Sequence, residues 1–175
     1  SFRSAVNSFH SNGSNDPYAF LTHEETPAQL LTAPLRFDYL LRPTTLAPLL
    51  LEAGLLIYFA RVDHYLFRRP SIADGFYSTT YSYLAGTNEE ALFRGWMMPL
   101  AHRHLGEQGW LSNGATSIVF AAAHYDPDAD NLPWPQFLMG AYLGWLAQYR
   151  EWTLSESIFV HTWWDVIAFA TSYET

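Results

Sequence analysis

Long stretches of the chain are almost free of charged residues, and polar, turn-rich segments separate them. The apolar stretches are residues 43–60, 108–125, 131–149 and 152–173. Their lengths approach the roughly 20 apolar residues that a helix needs to cross a bilayer. Trp and Tyr lie near several of the ends, as they do in interfacial belts. The pattern therefore predicts long apolar helices, which either span a membrane or form the buried core of a soluble helical domain.

No segment has a convincing strand pattern, so we predict an all-α protein. We expect helices at about residues 44–67, 87–105, 111–124, 136–149 and 153–172. Segment 68–86 contains Arg-Arg-Pro and Ala-Asp-Gly, which we interpret as helix breakers, and 126–135 is a loop rich in Asp and Pro.

The chain is predicted to divide into a polar lead, residues 1–42, and a helical core, residues 43–175. Within the lead, Thr22 and Glu25 have the spacing of a helix-capping box, which predicts a short helix at this point. Residues 34–42 alternate between apolar and charged side chains, and we expect them to lie along a surface.

Composition and charge exclude several classes of protein. The net charge is −8 at pH 7, whereas a nucleic-acid-binding protein needs a basic surface, so no nucleic-acid partner is expected. The chain has no Cys, and all nine cationic residues are Arg. A thiolate nucleophile, a Cys-based zinc site, a Schiff-base lysine and a phosphate-loop lysine are therefore excluded.

Hydropathy leaves the choice between membrane and solvent open. The mean hydropathy of the chain is −0.06, which is low for a polytopic membrane protein and favours a soluble helical domain. The polar residues 1–42 lower this mean, however, and the uncharged stretches favour a membrane bundle.

The first candidate for chemistry is the segment NEEALFR at residues 88–94. On a helix, Glu90 and Arg94 are four residues apart and face each other, whereas Glu89 points about 100° away and is free for another role. A structural explanation also exists, because Thr87 and Glu90 fit a capping box and Glu90 with Arg94 fits an ordinary surface ion pair.

Two further candidates are His124, at the end of an uncharged helix, and the pair His161 and Asp165. A histidine and an aspartate four residues apart share one helical face. The carboxylate can then hold one ring nitrogen and leave the other as a base or a metal ligand. Each feature alone is equally explained by a helix cap, a core histidine or a local pair.

Together these polar groups lie on separate apolar helices, where charged side chains are costly and usually functional. Glu89, His124 and His161 are the kind of set that binds a catalytic zinc ion with one open position. A glutamate near a histidine can equally activate a water molecule as a general base without a metal. Both alternatives stay open at this point.

EEALFR (89–94), FAAAH (120–124) and HTWWD (161–165) resemble, in sequence and in order, the three signature motifs of the CPBP family. This family comprises the CAAX-prenyl endopeptidases and bacteriocin-processing proteins and is also called the Abi family. Its members are multi-helix integral membrane proteases. The resemblance covers about residues 85–170 and implies a membrane bundle, with active-site residues on separate helices, that hydrolyses a peptide bond of a membrane-associated protein or peptide. Membrane lipid would be the other partner, in the cytoplasmic (inner) membrane of a bacterium.

The resemblance also implies a role for each motif residue. Glu89 would be the catalytic acid and base that activates water, with Glu90 and Arg94 as its structural support. His124 would act with Glu89 as a water-orienting partner or a zinc ligand. His161 would lie near the scissile carbonyl or on the metal.

Asp165 departs from the family pattern, because the CAAX endopeptidases have Asn there. Asn can donate a hydrogen bond to an oxyanion, whereas an ionised Asp cannot. Asp165 is better suited to holding His161 or to binding a metal. The departure favours a zinc-assisted mechanism, with Glu89, His124 and His161 as the ligands, and puts a prenylated CAAX substrate in doubt.

Two other functions remain compatible with the sequence. The chain could be a catalytically silent membrane scaffold, such as an immunity or partner-binding protein, because a fold does not fix a function. It could also be a soluble all-helical binding domain in which Glu89, His124 and His161 lie far apart.

Overall fold

The computed structural model describes residues 20–21, 23–62, 71–128 and 132–169, and within these ranges the chain has no strand. The predicted all-α class is therefore confirmed. The α-helices are α1 (Pro27–Thr32), α2 (Pro43–Val62), α3 (Ile72–Leu92), α4 (Met98–His104), α5 (Gly109–Ala123), α6 (Trp134–Tyr149) and α7 (Ser155–Ala168). Two 3-10 turns, Ala33–Leu35 and Phe37–Leu41, connect α1 to α2. A π-helical turn, Phe93–Met97, connects α3 to α4.

Helix α3 differs most from the sequence prediction. We expected breakers over 68–86 and a helix that begins near Thr87, but α3 begins at Ile72 and continues through Thr87 without a break. The Ser71 side chain accepts a hydrogen bond from the Asp74 N–H, and the Asp74 carboxylate accepts one from the Ser71 N–H. Asp74 therefore closes a capping box that starts the helix, and the predicted cap at Thr87 is wrong because Thr87 lies inside it.

The capping prediction in the lead is also wrong. The predicted cap, Thr22, lies outside the described residues, and the helix of the lead begins later than predicted, at Pro27. Thr26 caps α1 in a box with Gln29. The Glu25 carboxylate instead accepts hydrogen bonds from the backbone N–H groups of Leu154 and Ser155, at the start of α7, where a negative charge stabilises a helix.

The remaining helices lie close to their predicted positions. Helices α2, α5, α6 and α7 begin within two residues of the expected starts. The predicted ends of the first and last long helices, near residues 67 and 172, lie outside the described residues. The division into residues 1–42 and 43–175 stays a prediction.

Helix α7 lies at the centre of the bundle. Every residue from Leu154 to Thr162 is buried, and α2, α3 and α6 pack around it. Helices α3 and α7 approach closely at Gly86, where an added Cβ would lie 2.3 Å from Oγ1 of Thr162. A glycine is therefore needed on α3 at this crossing, because no other residue leaves room for the backbone of α7.

Helices α5 and α6 form an antiparallel hairpin along one side of α7. Near the end of α6, the Gln148 side chain donates a hydrogen bond of 2.8 Å to the carbonyl oxygen of Gly109 at the start of α5. Farther along, a Cβ on Gly140 would lie 3.2 Å from the Phe120 ring. These contacts fix which residues of the two helices face each other.

The bundle buries many polar side chains beside its apolar core and exposes many large apolar ones. Buried polar and charged side chains include Ser82, Glu90, Arg94, Ser112, Ser117, Glu156, Ser157, His161 and Thr162. Exposed large apolar side chains include Leu50, Ile57, Phe59, Ile72, Phe76, Trp110, Ile118, Leu138 and Trp145. A soluble monomer rarely exposes large apolar patches, and buried polar groups need partners within the bundle.

Among the described residues, α2 is the one helix that is long and apolar enough to cross a membrane, by length and composition. The mean hydropathy of its best 18-residue window is 1.5, and 17% of that window is buried. A bundle with several membrane spans stays a prediction.

Candidate active site

Four side chains that the sequence singled out line one cleft between α3, α5, α6 and α7. Glu89 comes from α3, His124 follows the last residue of α5, and His161 and Asp165 come from α7. The cleft has a volume of about 340 Å³. The motifs therefore converge in space, although they are far apart in sequence.

Glu89 lies between the two imidazoles. Its Oε2 atom is 3.8 Å from Nε2 of His124 and 3.8 Å from Nε2 of His161. Asp165 approaches the same ring nitrogen of His161, with Oδ2 at 3.7 Å from Nε2. These separations are too long for direct hydrogen bonds, and they suit a small bridging molecule such as water.

The partners of the two imidazoles determine their tautomers. Nδ1 of His161 is 2.8 Å from Oε1 of Glu90, and Nδ1 of His124 is 2.8 Å from the carbonyl oxygen of Phe120. Both partners can only accept, so each Nδ1 carries the proton of the neutral ring. Each Nε2 then presents its lone pair to Glu89, as in a histidine prepared to act as a base or a metal ligand.

The buried ion pair of Glu90 and Arg94 lies behind His161, on the side of the ring away from the cleft. Nη1 of Arg94 donates a hydrogen bond of 2.7 Å to Oε1 of Glu90, and Nη2 donates one of 2.8 Å to the carbonyl oxygen of Gly140. The Arg94 guanidinium also lies 4.5 Å from the centre of the Phe120 ring. Glu90 and Arg94 face each other as predicted, but the pair is buried in the core instead of lying on the surface.

Two carboxylate oxygens of this centre receive no hydrogen bond from the described residues. Oε2 of Glu89 and Oε2 of Glu90 are buried and make no hydrogen bond to the described residues. Buried polar atoms in folded proteins are nearly always paired with protein, water or a ligand. The bare oxygen of Glu89, beside the cleft, is therefore a position at which a water molecule or a ligand is expected.

The side chains of this centre are of the types that bind zinc, but their nitrogen and oxygen atoms lie farther apart than the ligand atoms of a bound zinc ion. Within the described ranges, no group of three or more His, Asp or Glu side chains is already arranged to hold a metal. Zinc bonds of about 2.0 Å at tetrahedral angles separate two ligand atoms by about 3.3 Å. Glu89, His124 and His161 could approach this spacing through small side-chain rotations, because their unpaired atoms already face one another.

Other residues of the cleft escaped the sequence analysis. They are Tyr81, Ala85, Pro135, Gln136, Met139, Ala168 and Phe169. In the sequence they could be found only by their position. Those on α3 and α7 lie within about two helical turns of a motif residue, and those on α6 lie just after the loop that follows His124. Trp164 also lines the cleft, whereas Trp96, Trp110 and Trp163 do not line it.

The described residues thus form a helical protein in which a glutamate and two histidines meet in one cleft beside a buried carboxylate–arginine pair. Residues 73–167, more than half of the chain, match the family model of the type II CAAX prenyl endopeptidase Rce1-like proteins. The chain belongs to this family, which confirms the resemblance drawn from the three motifs. The family is one of proteases, so a protein or peptide substrate follows from membership. No curated protein and no solved structure matches the chain.

Proposed function

We propose that the protein is an intramembrane endopeptidase that cleaves a peptide bond of a membrane-associated protein or peptide beside Glu89. The observation that carries this proposal is the position of Glu89 Oε2, buried, unpaired and 3.8 Å from Nε2 of both His124 and His161. Membership of a protease family supports the same reaction class.

In the proposed reaction, a water molecule lies between Glu89 and the two imidazoles. One of its hydrogens faces the Glu89 carboxylate, and the other faces Nε2 of His124 or His161. Glu89 takes a proton while the water oxygen forms a bond to the carbonyl carbon of the substrate. The tetrahedral intermediate then breaks its carbon–nitrogen bond, and the proton passes from Glu89 to the leaving amine.

The supporting residues keep this geometry in place. Glu90 accepts from Nδ1 of His161 and thereby keeps the Nε2 lone pair directed at the cleft. Arg94, on the π-helical turn after α3, neutralises Glu90 and donates a hydrogen bond to the carbonyl oxygen of Gly140 on α6. We propose that Asp165 orients His161 electrostatically across the 3.7 Å between Oδ2 and Nε2.

We also propose that zinc assists the reaction. Glu89, His124 and His161 would hold the ion, while Glu90 and the Phe120 carbonyl orient the imidazoles from behind. A bound zinc ion lowers the pKa of its water to about 7 and polarises a carbonyl group. The chain's own residues would still position the substrate and transfer the proton to the leaving amine.

The membrane is part of the proposal. Helix α2 is apolar on nearly every side, and the outer faces of α3, α5 and α6 expose large apolar side chains. Lipid is the natural solvent for such a surface, whereas the cleft lined by Glu89, His124, His161 and Asp165 can hold water for hydrolysis. We therefore propose membrane lipid as a partner and the cytoplasmic membrane of a bacterium as the location.

A cleavage assay on the full chain in detergent micelles tests the proposal. The substrates are a fluorogenic peptide with a farnesylated Cys-aliphatic-aliphatic-X end and its unprenylated counterpart. Glu89→Gln removes the base and keeps the size of the side chain, so cleavage should be lost. Glu107→Gln makes the same chemical change at an exposed position outside the cleft and should keep wild-type activity. Equal cleavage by Glu89→Gln and wild type would contradict Glu89 as the base, whereas a wild-type protein that cleaves neither peptide would favour the silent scaffold.

The same assay tests zinc. We expect a chelator to remove cleavage and added zinc to restore it, in step with the zinc content of the purified protein. Full activity in zinc-free protein would contradict zinc assistance and leave Glu89 as an unaided general base.

A further inference from the structure

The cleft continues along α3 and α7 beyond Glu89, towards the start of α3 and the end of α7. The two helices are antiparallel in this region, since Gly86 meets Thr162 and, farther along, the rings of Tyr81 and Phe169 lie 5.7 Å apart. Both rings line the cleft. This part of the cleft therefore runs from Glu89 to a pair of contacting aromatic side chains.

Two alanines line the cleft between Glu89 and this aromatic pair. Ala85 lies one helical turn before Glu89 on α3, and Ala168 lies three residues after Asp165 on α7. Because each wall contributes only a methyl group here, the space between the walls is open to a side chain of a bound molecule. We call this part of the cleft the apolar subsite, and its members are Tyr81, Ala85, Ala168 and Phe169.

The four members of the apolar subsite carry no charge. Among the described residues that line the cleft, the charged side chains are Glu89 and Asp165, with the imidazoles of His124 and His161 beside them. A charged substrate side chain placed among the alanines and aromatic rings would lose its water without gaining a partner there, which is costly. An aliphatic side chain instead gains free energy by leaving water. The apolar subsite therefore favours an aliphatic side chain.

The proposed reaction indicates which substrate residue reaches the apolar subsite. Glu89 passes its proton to the leaving amine, so the nitrogen of the scissile bond has to lie next to this carboxylate, whose Oε2 atom is buried and bare. The residue that carries this nitrogen has its Cβ atom only two bonds away from it. Ala85 is about 6 Å from Glu89 along the axis of α3, which is within reach of a side chain that starts there.

We infer that the apolar subsite binds the side chain of the substrate residue that directly follows the scissile bond, and that Ala85 and Ala168 limit its size. This inference rests on the proposed endopeptidase function and adds a substrate specificity to it. The two alanines come from different helices, so an enlargement of either one should have the same effect. Tyr81 and Phe169 border the subsite at the end away from Glu89.

The test uses a series of peptides, built on the better of the two substrates described above, that differ only in the residue after the scissile bond. This residue is Ala, Leu or Lys, and the wild-type protein should have the highest kcat/KM for the Leu peptide. Ala85→Leu fills the subsite, so kcat/KM should fall about 100-fold for the Leu peptide and far less for the Ala peptide. Ala168→Leu should give the same reversal of preference. Ala73→Leu makes the same change at an exposed position of α3 outside the cleft and should keep the wild-type order.

Binding provides a second readout that does not depend on turnover. In a Glu89→Gln background, addition of Ala85→Leu should weaken the affinity for the uncleaved Leu peptide, while the affinity for the Ala peptide should change little. Peptides that vary the residue before the scissile bond should show no such reversal. Cleavage of the Ala peptide by Ala85→Leu shows in the same experiment that this variant is folded.

An unchanged preference for Leu in both Ala85→Leu and Ala168→Leu, or an equal loss on the Leu and Ala peptides, would overturn the inference while leaving the protease intact. A wild-type preference for the Lys peptide would also overturn it. A wild-type protein no more active than Glu89→Gln would instead remove the proposed function and this inference with it.

Discussion

Glu90 and Glu156 are both buried carboxylates that arginine neutralises, yet they lie in very different surroundings. Both oxygens of Glu156 are occupied. Its partners are Arg42, Thr44, Thr45 and Arg150. These contacts join the start of α2 and the end of α6 to the first turn of α7, so Glu156 stabilises the fold where helices meet.

The hydrogen bonds of Glu90, by comparison, leave one of its two oxygens unused. One oxygen serves both Arg94 and His161, while the other has no partner among the described residues. The adjacent Glu89 also has a bare oxygen, and it faces a cleft instead of a neighbouring helix. A fully satisfied network rigidifies a protein, whereas an unsatisfied one beside a cavity is a candidate for chemistry. The comparison predicts which substitutions change stability and which change activity.

The largest loss of stability is expected for Arg94→Met. This change leaves Glu90 buried without its ion-pair partner, and such a loss costs about 3–5 kcal/mol of unfolding free energy. Activity should fall as well, because Glu90 holds His161. The double variant Arg94→Met with Glu90→Gln removes both charges and should recover part of the stability. Denaturant unfolding in detergent measures both, and equal stability of Arg94→Met and wild type would contradict a buried pair.

Glu156→Gln should give a smaller loss of stability with no loss of chemistry. A neutral amide cannot satisfy both arginines, and a hydrogen bond to a charged group contributes about 1.5–3 kcal/mol. The unfolding free energy should fall by that order, while kcat per folded molecule stays at the wild-type value. A clear fall in kcat without a change in stability would mean that the two carboxylates are not functionally separate.

Gly86→Ala tests whether the α3–α7 crossing positions the site. The new Cβ would lie 2.3 Å from Oγ1 of Thr162, and overpacking of this kind costs about 1–3 kcal/mol. Separating the helices also widens the distance from Glu89 to His161, so kcat should fall. Gly75→Ala on the same helix meets nothing within 4 Å and should be neutral or slightly stabilising. Identical effects of the two substitutions would contradict the close crossing.

The smallest effect is expected for Asp165→Asn. The amide keeps the size of the side chain, and Asp165 is not the proposed base, so most of kcat should remain. The folded protein should keep its unfolding free energy to within about 0.5 kcal/mol. Complete loss of cleavage, matching that of Glu89→Gln, would assign the base to Asp165 instead.

The pattern of apolar and polar residues predicts the helical class, and the resemblance of the three motifs to a known family predicts their convergence in one site. Residues four apart share a helical face, which is why the spacing alone is enough to pair Glu90 with Arg94. The burial of that pair could not be predicted, since it depends on Phe120 and Gly140 from other helices.

Three features escaped prediction for physical reasons. Asp74 and Gly75 look like a turn, but a capping box with Ser71 turns the same residues into a helix start. Gly86 has no local signal, because its role is set by Thr162 on α7. Gln136 follows a loop, and only the register of the hairpin brings it to the cleft.

The central claim is that Glu89, His124 and His161 act as one centre, and a double-mutant cycle on the two histidines tests it most directly. Cleavage is measured for His124→Gln, His161→Gln and the double variant, with the unfolding free energy of each recorded. Residues that act as a unit give strongly non-additive losses. We predict that the double variant is scarcely slower than the slower single variant. Losses of kcat that multiply across the two positions would contradict a shared centre.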